Sequence, residues 1–194
     1  QLGPSGKTKS IDASPYTGTI FSNNPLFIDL EQLTTDEWFN ILSVETYNKI
    51  TENNPNKDTN KTAYSYIFNE QEKALKEAFE NFKKLDNAEL KSKFETYKEK
   101  NKFWLEKDSL YEALIIENGN DYWPMWKSET DKCLFNPQND EQKVQYAKRI
   151  KELEEKYADV IEYYSFCQFV ISVQNEKTRE YAQSRGLKMI ADRQ

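Results

Sequence analysis

Histidine is absent from this chain. That absence excludes a Ser–His–Asp triad, a Cys–His nucleophilic pair and any histidine-ligated metal site built from these residues. Cysteine is nearly as scarce. Cys133 and Cys167 are the only two, and they form no C-x-x-C spacing. Both are therefore expected to be reduced, buried thiols and not a disulfide framework. Four arginines stand against 23 lysines, which disfavours base-edge readout of nucleic acid. Long apolar runs are missing too. They stop at about four residues, as at Ala113 to Ile116, far short of the roughly 20 needed to span a membrane. No basic segment followed by an apolar one opens the chain, so no secretory signal is visible.

What is present is 194 residues, enough for one ordinary domain with a real core. Thirty-three acidic residues against 27 basic ones give a formal net charge of −6, again unlike a nucleic-acid surface. The chain starts at Gln1 without a methionine and stops at Gln194, just past an apolar run. Natural termini are usually polar and frayed. The chain is therefore expected to be an internal piece of a longer protein.

Gly3, Pro4, Gly6, Pro15 and Gly18 punctuate a loop-like opening. Pro25 to Leu30 is a short apolar run that suits an extended segment. Thr34 and Glu37 have capping-box spacing, with Trp38, Ile41 and Leu42 on one face of the helix this predicts. Residues 51–62 read as a solvated loop. It contains the triplet Asn60-Lys61-Thr62, which arises by chance too often to carry weight in Asn-rich sequence.

Asn69 with Glu72 again suggests a helix start, followed by Leu75, Ala78, Phe79, Phe82 and Leu85 at helical spacing. Leu90, Phe94 and Tyr97 suggest a second, short helix. Phe103 to Ile116 suggest a third, with Leu110, Tyr111, Leu114 and Ile115 inward and Asn118-Gly119 as its stop. Outward Glu and Lys are most simply solvated helix surface. Asp121 to Trp126 form a dense aromatic turn. Its Trp123 and Trp126 could stack on a ligand, although such residues more often fill the space between helices.

Glu141 to Arg185 read as two helices, the apolar stretch Ile161 to Val173 packed inside. Phe166, Phe169 and Val170 read as core. Gly186 suits a left-handed cap, Leu187 to Ala191 a buried strand, and Asp192 sits just past it. In parallel α/β folds such strand ends carry the active site. By position alone Asp192 is therefore either a functional carboxylate or a loop anchor. No Gly-rich phosphate loop and no metal-ligand spacing occurs.

Several segments together resemble one family, the amylomaltases or 4-α-glucanotransferases of the glycoside hydrolases. Leu2-Gly3-Pro4, then Ser14-Pro15-Tyr16, then Asn24-Pro25-Leu26-Phe27-Ile28-Asp29-Leu30 follow the family's LGP, SPY and GNPLLIDL-like blocks in order. Trp104-Leu105-Glu106 with Leu110-Tyr111 and Ala113-Leu114 is similar to its WLEDYALFRAL. Trp123-Pro124 with Trp126 is like its W-x-x-WP region. Ile161-Glu162-Tyr163, Phe166, Gln168, Tyr181-Ala182, Arg185-Gly186 and Ile190-Ala191-Asp192 follow IEFHRFLQW and YANERGIxIIGD. The resemblance runs end to end and is loose between roughly residues 50 and 100. Three departures mark a divergent branch. Lys9 to Ala13 lacks the tyrosine of the family's secondary glucan-contacting surface. Tyr164 replaces the histidine of EFHRF. Ala191-Asp192-Arg193-Gln194 replaces GD-x-PI.

The resemblance implies an α/β fold, a fragment of a (β/α)8 barrel. This chain would be mostly helical because it carries the insertion between strands two and three. Residues 1–31 would be the loop and extended segment after strand two, 32–158 the helical insertion, and 159–194 a barrel helix and strand three. It implies retaining transfer of α-1,4-glucan segments between maltooligosaccharides, in the cytoplasm, with no cofactor or metal. Nucleic-acid and membrane partners are not expected. The catalytic carboxylates would lie outside this chain, so the isolated chain is expected to be inactive. Tyr16 would pack on the sugar at the cleavage point, and Asp192 would orient neighbouring groups. The competing reading is a non-catalytic helical module that binds glucan or protein.

Overall fold

A computed structural model describes residues 3, 5–8, 13–17 and 21–189. Its regular elements are helices: α1 (Val44–Glu52), α2 (Tyr64–Lys84), α3 (Ala88–Asn118), α4 (Glu129–Lys132), α5 (Asp140–Lys156) and α6 (Ala158–Ser184). Short 3-10 turns occur at Pro15–Thr17, Pro25–Phe27, Gln32–Thr34, Asp36–Trp38 and Trp123–Met125. No strand is present among the described residues. Two compact units divide the chain: Gln1–Phe94 with Phe166–Gln194, and Glu95–Ser165.

In the first unit, α6 is the central helix. Residues 166–171 are all buried, as expected of a helix that meets protein on every side. Phe166 packs 5.4 Å from Phe79 and 5.0 Å from Phe82 between ring centres. Phe82 meets Phe94 edge-on at 5.4 Å, and Phe94 meets Phe169 at the same distance. Trp38 closes the cluster 6.1 Å from Phe169. Tilted and edge-to-face rings are the favoured arrangements of aromatic quadrupoles.

Residues 32–42 differ from the helix their spacing predicts. Trp38, Ile41 and Leu42 are buried as expected, but Trp38 ends the second of two 3-10 turns, and Phe39 and Asn40 at φ 55° and 52° separate it from the other two. Thr34 and Thr35 spend their hydroxyls on Glu31 and Gln32 carbonyls at 2.8 and 2.7 Å. Such local side-chain bonds compete with a continuing helix. The α1 helix begins later, where Ser43 Oγ accepts the Thr46 N–H at 3.1 Å.

Asn69 is no cap either. It lies inside α2, which starts five residues earlier at Tyr64. The two helices read from Leu90 and Phe103 are the single α3. Asn87 starts it, accepting the Leu90 N–H at 2.8 Å. No glycine or proline interrupts it. A gap in the apolar pattern at 98–102 is not a helix breaker, because Lys and Glu are good helix formers and pair along the surface. Lys98 pairs with Glu95 at 2.8 Å.

The stops are as read. Gly119 and Gly186 take φ 62° and 73°. Behind each, the next amide bonds five residues back: Asn120 to Ile115 at 3.2 Å and Leu187 to Ala182 at 3.0 Å. Beyond Gly186 the expected buried strand is not found over its described part. Leu187–Met189 is irregular, and Leu187 and Met189 are exposed. A strand exists only through ladder bonds to a neighbour, and no described residue provides one.

The second unit packs Leu110, Leu114, Trp126, Leu134, Tyr146 and Leu153 into its core. Beside this core runs a charged network. Arg149 holds Asp131 through Nε at 2.9 Å and Nη2 at 3.2 Å, and also reaches Glu117 at 3.2 Å. Lys156 donates to Glu117 at 2.6 Å, and Tyr157 donates a very short bond to the same oxygen. The Lys156 bond, then that from Tyr157, hold the Glu117 carboxyl down at about 2. A carboxyl held low in the folded state stabilises the fold above about pH 4.5, and that contribution is lost as pH falls toward 2. Glu117→Gln is expected to lower stability at pH 7 by about 1 kcal/mol, allowing for solvent screening. The difference from the parent should vanish by about pH 2. Urea titrations across this range check it, and a constant difference would contradict it.

Candidate substrate-contacting segment

The Ser14-Pro15-Tyr16 motif forms a 3-10 turn with proline at its first position, where a missing N–H costs nothing. Ser14 Oγ accepts the Tyr16 N–H at 3.4 Å. Tyr16 is 59% exposed.

The chain on either side of this turn is pinned to itself. Ser5 O accepts the Asn24 N–H at 2.7 Å, and Ser5 Oγ donates to Asn23 Oδ1 at 2.9 Å. Asn24 Nδ2 and Tyr64 OH both donate to the buried Thr8 hydroxyl oxygen, at 3.0 and 2.8 Å. Asn24 Oδ1 accepts the Leu26 N–H at 3.1 Å and caps the Pro25–Phe27 turn.

Three buried glutamines then hold residues 23–29 from inside. Gln168 Oε1 accepts the Asn23 N–H and Gln168 Nε2 donates to Asn23 O, both at 2.9 Å. Gln174 repeats the pattern on Asp29, at 2.9 and 3.0 Å. Gln71 Nε2 donates to Pro25 O at 3.2 Å and Ile28 O at 2.8 Å. Gln168 and Gln174, both on α6, thus pair with a backbone residue as a strand neighbour would. Pro25–Leu30, read as an extended run, is accordingly a 3-10 turn and loop with Ile28 and Leu30 buried and Phe27 exposed. Sequence reading placed Gln168 inside a family motif but gave it no role. The available signal was a glutamine standing among Phe166, Cys167, Phe169 and Val170.

The remaining candidates divide. Asp192 lies outside the described residues. Trp123 is 51% exposed beside exposed Tyr122 and Met125. Trp126 is 4% exposed, packed 5.6 Å from Tyr111, and donates Nε1–H to Asn120 O at 2.7 Å. Its ring belongs to the core, the commoner of the two roles read for it, and it offers no stacking surface. Cys133 is exposed, contrary to expectation, because it ends the short α4 helix at the surface; Cys167 is buried, and neither thiol is in a disulfide. A groove of about 410 Å3 in the second unit is lined chiefly by charged side chains, among them Lys98 bonded to Glu162 at 3.2 and 3.3 Å. Among the described residues no group of three His, Cys, Asp or Glu could hold a metal ion, and no helix is long and apolar enough to cross a membrane.

This helical architecture is similar to part of a solved structure. Amylomaltase from Streptococcus agalactiae, solved in complex with acarbose, matches it with a TM-score of 0.77 at 21% identity, over 100% of this chain and 35% of that one. The 4-alpha-glucanotransferase family model matches residues 1–193, and the chain belongs to that family. The 4-alpha-glucanotransferase of Clostridium butyricum is 27% identical over 192 residues, 99% of this chain and 35% of the relative. That of Thermus thermophilus is 24% identical over 98% of this chain and 33% of the relative. The chain spans about a third of the length of these relatives.

The two tryptophans give opposite expectations. Trp126→Ala should cost about 3–5 kcal/mol, the range for emptying a buried aromatic site. Trp123→Ala should stay within about 0.5 kcal/mol, as exposed substitutions do. Denaturant unfolding of both variants measures the contrast, and equal losses would place Trp123 in the core as well.

Proposed function

We propose that this chain is part of a 4-alpha-glucanotransferase that moves α-1,4-glucan segments between maltooligosaccharides by a retaining double displacement. Family membership over residues 1–193 carries the reading. In such a reaction one carboxylate attacks the anomeric carbon, while a second protonates the leaving oxygen and then deprotonates the acceptor hydroxyl. The two stand ~5 Å apart across the bond. Those carboxylates are proposed to lie outside this chain. Many acidic side chains here are engaged in helix-surface ion pairs, such as Glu72 with Lys76 at 2.7 Å and Glu89 with Lys93 at 2.7 Å, which suits a non-catalytic share.

In the proposed architecture residues 1–31 follow the second strand of a (β/α)8 barrel, 32–158 are a helical insertion, and 159–194 are a barrel helix and third strand. Tyr16 packs its exposed ring on the apolar face of a glucose unit and hydrogen-bonds through its hydroxyl. Asp192 orients neighbouring groups in the pocket. Exposed Trp123 offers a ring to a longer glucan. Thiols outside any disulfide, one of them exposed, suit a reducing compartment such as the cytoplasm.

The full-length protein is expected to convert maltotriose into longer and shorter maltooligosaccharides. Tyr16→Ala should lower kcat/KM about tenfold, the equivalent of ~1.4 kcal/mol of lost transition-state contact. The isolated 194-residue chain should release no sugar. Sugar analysis by chromatography decides these points. A full-length protein that binds maltooligosaccharides without turning them over would instead support the non-catalytic module.

A further inference from the structure

Of the four tryptophans, Trp38, Trp104 and Trp126 are 2%, 7% and 4% exposed, whereas Trp123 is 51% exposed. Tyr122 and Met125 beside it are 58% and 68% exposed. Single exposed apolar residues are ordinary, but three within four positions form a patch. The turn that carries them is pinned to the second unit at close range. Tyr111 OH donates to Asp121 O at 2.6 Å, and Trp126 Nε1–H donates to Asn120 O at 2.7 Å. Asn120 Oδ1 accepts the Tyr122 N–H at 2.8 Å. Tyr122 O and Trp123 O accept the Met125 and Trp126 N–H groups at 3.0 and 3.1 Å, and Pro124 fixes φ between them. The anchors are core residues, with Trp126 buried and Tyr111 packed against the same cluster. We propose that Tyr122 and Trp123 form a platform on this turn that binds α-1,4-glucan chains of several glucose units.

Size and chemistry choose this occupant over a protein partner. A stable protein interface takes about 800 Å2 from each side. Aromatic side chains carry about 150–250 Å2 each, so three side chains little more than half exposed offer well under half of that area. The patch is also bordered by exposed polar residues, Asn120, Asp121 and Lys127. A glucose unit has an apolar C–H face and a rim of hydroxyls, and a patch of rings with a polar border matches both. Asp121 is the one charged side chain between Gly119 and Trp126, which suits an uncharged ligand. The chain belongs to the 4-alpha-glucanotransferase family, whose proposed substrate is such a polymer. Because hydrogen bonds hold the backbone under the rings in advance, little ordering remains to be done on binding. One stacked ring is weak by itself. A polysaccharide offers many equivalent segments in succession, so weak contacts at one turn add up to retention.

The choice of glucan rests on the reading of the chain as part of a transferase, which maltotriose turnover tests separately. The platform is tested by binding. In a native gel containing amylopectin, the full-length parent should be retarded. Trp123→Ala should weaken this retention about tenfold, the loss of one stacked ring, and Tyr122→Ala should weaken it less. Trp123→Phe should keep most of it, and the melting temperatures should stay close to the parent's. Tyr122→Ala carries the comparison if Trp123→Ala loses stability. Iodide should quench a fluorescence component that the parent has and Trp123→Phe lacks, and maltoheptaose should shield it. Retention unchanged in both alanine variants would overturn the proposal. So would a Trp123 that iodide cannot reach, because another part of the protein then covers it. A Trp123→Ala variant that changes oligomeric state and keeps full retention would assign the patch to a second copy of the chain instead. Turnover without Trp123-dependent retention removes the platform alone. Trp123-dependent retention without turnover keeps the platform and removes the transferase reading.

Discussion

A buried backbone without a sheet partner must find its hydrogen bonds elsewhere. In the first unit residues 23–29 find them on glutamine side chains. Gln168, Gln174 and Gln71 give this irregular segment the bonds that strands would otherwise supply. The requirement runs in both directions. The segment needs the amides to be buried at all, and the amides need the segment because α6 is buried around them. Ile28, Leu30 and Leu33 can then fill the core while Phe27 and Tyr16 stay exposed.

The second unit solves a similar problem with charge. Asp131 is almost wholly buried, and Arg149 satisfies both its oxygens with a planar fork. Such a pair is costly to break, because either partner left alone keeps its desolvation penalty. Glu117, Lys156 and Tyr157 extend it to the end of α3. The contrast with the glutamines is informative. Neutral amides hold backbone and are insensitive to pH, whereas the Glu117 cluster holds side chains and is not.

Much of this was legible in the sequence where a local rule decides the outcome. Gly119 and Gly186 end helices because their left-handed backbone admits few other residues. Phe166, Phe169 and Val170 are core because their spacing leaves them no exposed face. Two of the misreadings share one cause, which is that a side chain can satisfy a pattern without forming the element. Trp38, Ile41 and Leu42 are buried at helical spacing, but threonine hydroxyls and two left-handed residues break the helix beneath them. Asn69 with Glu72 matches a cap inside a helix already under way. The roles of Gln168 and Gln174 were not legible, because their partners lie 145 residues away and are backbone atoms. No side-chain pattern in the sequence encodes which peptide a glutamine will meet.

The missing histidines take on a different meaning at this point. With none in the chain, proton transfer near neutral pH would fall to a carboxylate or lysine whose surroundings shift it. Glu117 is displaced downward by Lys156 and Tyr157, the wrong direction for a general acid. The exposed ring of Tyr16 suits binding instead. In the proposed transferase that division is physically sensible. A sugar ring held by stacking and neutral hydrogen bonds adds no charge near the reacting carboxylates, so their own proton affinities can be set where they stand.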